Sequence, residues 1–162
     1  MARTDRITSF SGIASSHPGN RPYDTITLEY GEQTLWPDHC VWSTRGADFH
    51  SELDIPHAGL ILRKGFRPAI DSYSAFFEND HKTETGLRGY LEERALGRVF
   101  IAGLALDFCV RFSIEDSAEV GFETILVEDA CRAVDIGGSR ETALQRFTEL
   151  GIERISAQEF TA

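Results

Sequence analysis

From residue 58 to the C-terminus, short apolar runs alternate with segments whose apolar residues recur every three or four positions. Short runs are typical of buried strands, and the three-to-four spacing is typical of amphipathic helices. Alternation of this kind predicts an α/β fold in which a mainly parallel sheet lies between two helical layers. The pattern predicts strands at 58–63, 98–104, 123–128 and 152–155, and helices at 85–96, 107–120 and 139–150.

Helix ends are marked by particular residues. Ser139 precedes an apolar helical pattern and is expected to act as its N-cap, because a serine hydroxyl can accept a hydrogen bond from an unpaired N–H of the first turn. Gly121 and Gly151 follow two of the predicted helices, where glycine commonly ends a helix in a left-handed conformation.

Residues 1–57 lack this periodicity and are interrupted by glycine and proline, including Gly12 and Pro37. An irregular stretch of this length is unusual inside a compact domain. We expect one domain over residues 1–162, with 1–57 mostly loop and 58–162 built from regular βα units.

Composition narrows the function classes. With 16 basic and 26 acidic residues, the net charge is −10, which argues against a nucleic-acid partner. No apolar stretch is long enough to span a membrane, and the residues after Met1 show no signal-peptide pattern. Three cysteines without a disulfide spacing predict free thiols and a cytoplasmic location, with Cys40 and Cys131 as buried structural thiols.

Cys109 is the strongest candidate for chemistry. It follows the apolar strand 98–104 and falls in the first turn of the helix 107–120. Unpaired N–H groups and the positive end of the helix dipole stabilise a thiolate at such a position. Open α/β sheets also bind their ligands where strands end and helices begin. Position alone favours the alternative, a small cysteine that only packs in the core.

Five short segments are informative when they are considered together, although each alone would be weak evidence for a family. They are Gln33–Val41, Arg63–Gly65, Asp71–Phe77, Gly103–Val110 and Glu128–Ala133. In order and spacing they resemble the nicotinamidase branch of the isochorismatase-like cysteine hydrolases, from about residue 10 to the C-terminus. The resemblance implies a three-layer α/β/α fold and hydrolysis of nicotinamide to nicotinic acid and ammonia through a cysteine thioester, with a role in NAD salvage.

The resemblance also implies roles for individual residues. Cys109 corresponds to the nucleophile and Lys64 to the catalytic lysine, whose cation would stabilise the thiolate and the developing charge. The resemblance also implies a cis peptide bond between Leu104 and Ala105. It further implies an oxyanion hole whose backbone N–H donors belong to Ala105 and Cys109. The family usually has a polar residue after that alanine, whereas this chain has Leu106. On residue type alone, a solvated lysine at the end of a strand is the commoner case.

A divalent metal (zinc, iron or manganese) is implied as well, and in the family it polarises the pyridine nitrogen of the substrate. His39 corresponds to one metal ligand, and a neutral imidazole is a common ligand. Trp36 and Tyr73 correspond to aromatic residues that flank the nicotinamide ring. Considered singly, His39 is an ordinary loop histidine and the two aromatic residues are packing residues, which are the commoner roles.

Two family elements have no counterpart among the 162 residues. The family begins with an apolar strand that ends in the acid–base aspartate, and a second strand and an Asp-x-His pair of metal ligands follow. Asp5 has no apolar strand before it, and Arg6 or Ile7 stands where a further histidine ligand is expected. We therefore expect an N-terminally truncated chain that lacks the first two family strands and has impaired activity.

The predicted function is thus that of a nicotinamidase-like amidohydrolase with a small-molecule substrate. One alternative is a related hydrolase of another amide or carbamoyl substrate. Another is a non-catalytic member that binds a partner through an open sheet edge, which predicts a stable dimer or heteromer; the pattern leaves a homo-oligomer open. A Rossmann-type nucleotide binder is disfavoured because no Gly-x-Gly-x-x-Gly follows a predicted strand.

Overall fold

The computed structural model describes residues 11–160 apart from 55 and 57. The chain divides into two compact units, residues 1–71 and residues 72–162. No helix in the described part of the chain combines the length and the apolar character that crossing a membrane requires.

The first unit contains a β-hairpin in the region that the sequence pattern assigned to loop. Strands β1 (Thr25–Leu28) and β2 (Gly31–Thr34) pair antiparallel, with Thr25 opposite Thr34. The stretch Thr-Ile-Thr-Leu alternates polar and apolar residues, as half-buried strands do. Four residues are too few for this signal to stand out among the surrounding glycines and prolines, and the hairpin was therefore missed.

Polar contacts hold the segments of the first unit together. Gln33, only 1% exposed, donates from Nε2 to Oδ2 of Asp71 at 2.8 Å. The N–H of Trp36 donates to the carbonyl of Gly12 at 2.8 Å, and a Cβ at position 12 would overlap the Asp71 carboxylate. Because Gly12 has no side chain, the chain can pass close to Asp71 there. These contacts fix the start of the loop that contains Trp36 and His39.

Residues 58–63 form no strand, and that prediction was wrong. Leu60 and Ile61 are 40% and 55% exposed. A strand is completed by a ladder of backbone hydrogen bonds to a neighbour, and no strand of the described residues pairs with this stretch. Its apolar composition alone is therefore not enough to make it a strand.

The second unit contains a parallel sheet with the strand order β3-β4-β5. The elements predicted from residue 98 onward are present, with two differences of more than one residue in their bounds. The helix predicted at 107–120 begins as an α-helix at Arg111, and β4 extends four residues beyond the predicted 123–128. The first helix is shorter than the predicted 85–96. In chain order the elements are α1 (Leu87–Glu93), β3 (Arg98–Leu104), α2 (Arg111–Glu119), β4 (Glu123–Arg132), α3 (Ser139–Glu149), β5 (Glu153–Ile155) and α4 (Ala157–Phe160).

The central strand β4 is covered on both faces. Its four successive residues from Thr124 to Val127 are all buried, and successive strand residues point to opposite faces of a sheet. On one face Leu126 joins the main apolar cluster with Ile114 of α2 and Phe147 of α3. This cluster also includes Leu106, three positions before Cys109.

The other face carries α4. Phe160 of α4 packs against Phe100 of β3, with ring centroids 4.9 Å apart. Phe100 is the register partner of Ile125, whose side chain points away from that of Leu126. Helices therefore lie on both sides of the sheet, which confirms the predicted three-layer α/β/α architecture.

The start of α3 differs from the prediction. Ser139 is the first residue of the helix, and Gly138 is the N-cap with a left-handed φ of 84°. The hydroxyl of Ser139 accepts a hydrogen bond from the N–H of Ile136 at 2.9 Å, so it faces the preceding loop. The expected glycines at the ends of α2 and α3, Gly121 and Gly151, have φ values of 95° and 67° and are confirmed.

The apolar cluster makes a testable contribution to stability. Phe147→Ala removes a side chain with no exposed surface and is expected to lower the free energy of unfolding by about 3–5 kcal/mol, because it leaves a cavity between α3 and the sheet. Urea denaturation measures this loss. Gln145→Ala, at an exposed position of the same helix, serves as control and should stay within about 0.5 kcal/mol of the unmodified chain. Equal effects of the two substitutions would contradict the placement of Phe147 in the core.

Candidate active site

Cys109 lies in a helical turn between β3 and α2, immediately before the α-helix in whose first turn the sequence pattern predicted it. The turn spans Leu106–Val110 and is wider than an ordinary α-turn, because the N–H of Val110 donates to the carbonyl of Ala105, five residues earlier, at 3.0 Å. Single wide turns of this kind are frequent at functional sites. Cys109 is partly exposed, so the interpretation of this residue as a purely buried cysteine does not hold.

The other two cysteines differ from each other. Cys131 is buried, as predicted, and burial raises the pKa of its thiol. Cys40 is exposed, and the prediction that it is buried was wrong. Its backbone has a positive φ of 46° within an irregular loop, where no element covers the side chain.

The peptide bond between Leu104 and Ala105 is cis, as the resemblance implied. Ala105 is the residue immediately before the turn, and its carbonyl accepts hydrogen bonds from the N–H groups of Phe108 and Val110. Ala105 and Cys109 thus belong to one tightly hydrogen-bonded segment. Their role as oxyanion donors stays a prediction.

A second contact holds the Cys109 turn from the side of α2. Ser113 donates from its hydroxyl to the carbonyl of Cys109 at 2.6 Å and accepts the N–H of Ala75 at 2.9 Å. The ring of Tyr73 packs against Phe108 and, in a tilted arrangement, against Phe112, with centroid distances of 5.9 Å and 5.3 Å. Tyr73 therefore lies beside Phe108, the residue that precedes Cys109.

Asp107 is a site residue to which sequence reasoning assigned no role. It is 1% exposed, and its carboxylate accepts hydrogen bonds from the Ser139 hydroxyl and from the N–H groups of Asp135 and Val134. Burial alone would raise the pKa of this carboxyl, but these hydrogen bonds outweigh burial and hold its pKa below the usual value. The sequence did offer a signal for this role, since Asp107 is a charged residue within an otherwise apolar stretch. A charged side chain in such a stretch is buried only when hydrogen-bond donors or opposite charges pair with it.

A second buried carboxyl lies further along α2. Asp116 is 4% exposed, and His81 faces it with 3.8 Å between Nδ1 and Oδ1. Burial raises the pKa of Asp116 above its usual value, although a hydrogen bond with Ser74 and the nearby His81 act in the opposite direction. The folded chain therefore binds a proton at Asp116 more tightly than the unfolded chain does.

Trp36 and His39 lie together in the first unit, with ring centroids 6.4 Å apart. Nδ1 of His39 is 2.8 Å from the carbonyl oxygen of Pro37. A carbonyl oxygen only accepts, so Nδ1 carries the proton, and the lone pair of the neutral ring is on Nε2. Metal-binding histidines are commonly oriented in this way by a carbonyl.

Lys64 lies in the first unit and is partly buried. Gly65 follows it with a left-handed φ of 68°, a conformation that glycine adopts without steric cost. Cys109 belongs to the second unit, and the pairing of Lys64 with the thiol stays a prediction. The residues discussed near the N-terminus, Asp5, Arg6 and Ile7, lie outside the described part of the chain.

Comparison with known proteins gives a consistent result. Residues 19–159 match the isochorismatase domain family. The nicotinamidase of Acinetobacter baylyi is 50% identical over 146 residues, which cover 90% of this chain and 68% of that protein. The nicotinamidase of Escherichia coli is 37% identical over 136 residues, covering 84% of this chain and 64% of that protein. This chain thus spans about two thirds of the length of these relatives.

The same similarity holds in three dimensions. The solved structure of an Acinetobacter baumanii nicotinamidase superposes with a TM-score of 0.91 at 48% identity, covering 93% of this chain and 73% of that one. A pyrazinamidase of Pyrococcus horikoshii solved in complex with zinc superposes with a TM-score of 0.64 at 31% identity, covering 76% of this chain and 64% of that chain. Metal binding therefore occurs among structural relatives.

The described residues of this chain do not fit a metal site. Among them, no three histidine, cysteine, aspartate or glutamate side chains are grouped closely enough to hold a metal ion. His39 has a suitably oriented nitrogen, but a single ligand does not make a site, since zinc sites use three or four protein ligands. No catalytic step is therefore assigned to a metal.

Asp116 makes the stability of the chain depend on pH. Because its pKa is raised in the folded state, its stabilising contribution is complete below the usual pKa of about 3.9 and is lost as the pH rises through the higher folded value. We expect Asp116→Asn to remove this loss, so that urea denaturation shows the variant gaining stability relative to the unmodified chain between about pH 4 and pH 7. Glu93→Gln removes one carboxylate at an exposed position of α1 and is the control. A constant difference between unmodified chain and Asp116→Asn across this range would contradict the account.

Proposed function

Since this chain belongs to the isochorismatase domain family, we propose that it is a cysteine amidohydrolase that converts nicotinamide and water to nicotinate and ammonia. The main support is the position of Cys109, which is partly exposed in the wide turn between β3 and α2. The high identity to nicotinamidases over most of the chain supports nicotinamide as the substrate.

In the proposed reaction, the sulfur of Cys109 attacks the carbonyl carbon of the amide. The carbonyl oxygen gains negative charge, which the N–H groups of Ala105 and Cys109 would stabilise in the oxyanion hole. The C–N bond then breaks, ammonia leaves with the thiol proton, and a thioester remains on Cys109. Attack of water on this thioester releases nicotinate and restores the thiol.

Four further side chains have proposed roles of their own. Lys64 would stabilise the thiolate and the charge that develops on the substrate. Tyr73, which packs beside Phe108, would contact the pyridine ring, and the resemblance implies the same role for Trp36. His39 would offer the lone pair of Nε2 as one of the ligands that the resemblance implies for a divalent metal.

Proton transfer in this reaction requires a group that takes the thiol proton and passes it to the leaving ammonia. A positioned acid or base contributes typically about 10²–10⁴-fold to the rate of such a step. In the cell, the reaction would belong to NAD salvage in the cytoplasm.

Ammonia release from nicotinamide tests the proposal. We expect ammonia release that Cys109→Ala abolishes, because no other described residue of the turn can form the thioester. Cys40→Ala is the matched control, since it removes an exposed thiol outside the turn and should leave the rate unchanged. Equal release by the unmodified chain and by Cys109→Ala would contradict the proposed mechanism. Faster turnover of benzamide or of a carbamoyl compound would instead support a different substrate.

A further inference from the structure

The carboxylate of Asp107 connects the Cys109 turn with a distant part of the chain. Oδ2 accepts the hydroxyl of Ser139 at 2.6 Å and the N–H of Asp135 at 2.8 Å, and Oδ1 accepts the N–H of Val134 at 3.1 Å. All three donors belong to the segment that leads from β4 into α3. One side chain therefore holds this segment against the turn, 27 to 32 positions away along the sequence.

Other contacts of the turn do not involve the segment between β4 and α3. The carbonyl of Ala105 closes the turn internally, and Ser113 holds the carbonyl of Cys109 from α2. Leu106 and Val110 anchor its apolar side in the core cluster. Apolar packing is non-directional, whereas three hydrogen bonds to one carboxylate define an orientation.

We propose that Asp107 is a positioning residue for the nucleophile. By clamping the segment 134–139 to the turn, it fixes the direction in which the sulfur and the N–H group of Cys109 point. This inference rests on the proposed function of Cys109 and adds to it a residue that does not touch the substrate.

A carboxylate suits this position better than any neutral side chain. The segment presents three donors, and an ionised carboxylate only accepts. An asparagine of the same shape has one acceptor and one donor group, so in either orientation its NH₂ group faces an N–H or O–H that also donates. Asp107→Asn therefore breaks part of the clamp and nearly preserves the volume of the side chain.

Alkylation by iodoacetamide, resolved residue by residue by mass spectrometry, tests the inference without requiring turnover. Cys40 is exposed and lies in the first unit, so its alkylation rate in the same sample is an internal reference. In the unmodified chain we expect Cys109 to react faster than Cys40 although it is less exposed, because the thiolate is the reactive form. Asp107→Asn should lower the ratio of the two rates about tenfold, because a sulfur turned away from the N–H groups at the start of α2 forms the reactive thiolate less readily.

Two control variants separate positioning from loss of stability. Ser139→Ala removes one of the three donors and leaves the charge of Asp107, so it should lower the ratio by a smaller factor. Ile125→Ala removes a buried side chain of β4 that lies outside the main apolar cluster and should lower the melting temperature without changing the ratio. All rates are measured below the temperature at which any variant begins to unfold.

The outcomes distinguish the inference from the function on which it rests. If Cys109 of the unmodified chain reacts no faster than Cys40, the proposed nucleophile is wrong and the inference is overturned with it. If Cys109 is the faster thiol and Asp107→Asn keeps or raises the ratio, the function stands and only the inference is overturned. The inference is also overturned if Ile125→Ala lowers the ratio of the Cys109 and Cys40 rates as much as Asp107→Asn does at an equal loss of melting temperature. The lower ratio would then follow from reduced stability and not from lost positioning.

Discussion

The hydrogen bonds of the Asp107 carboxylate are the interaction on which the candidate site depends. The turn that carries Cys109 starts at the end of β3, and the segment that opposes it starts at the end of β4. The sheet brings both segments to the same edge, because parallel strands end together. Burying a carboxylate there is costly unless its oxygens are paired, and the three donors of residues 134–139 supply that pairing.

Apolar packing provides the base for this polar contact. Leu106 and Val110 of the turn belong to the same cluster as Phe147 of α3, so the core that stabilises the sheet also fixes one side of the turn. Cys109 of the same turn lies outside that cluster and stays partly exposed. Stability and chemistry are thus assigned to different residues of one short segment, which explains how the thiol can be accessible within an ordered structure.

The sequence predicted the parts of the fold that local periodicity determines, and the elements from β3 onward are confirmed. It failed where structure depends on partners distant in the chain. Residues 58–63 have the composition of a strand but no described neighbour with which to pair. Ser139 has the character of a helix cap, yet its hydroxyl bonds to Asp107, 32 positions earlier. The cis peptide before Ala105 followed only from the family resemblance, since no local pattern predicts it.

The proposed reaction begins when the sulfur of Cys109 attacks a carbonyl carbon held at the turn before α2. Nicotinaldehyde labelled with ¹³C at its carbonyl group tests this directly, because an aldehyde can add a thiol without a leaving group. With the unmodified chain, the NMR signal of the labelled carbon should move from the aldehyde region to that of a tetrahedral carbon, and Cys109→Ala should abolish the shift. An unchanged aldehyde signal at saturating protein, or a shift that persists in Cys109→Ala, would contradict the account.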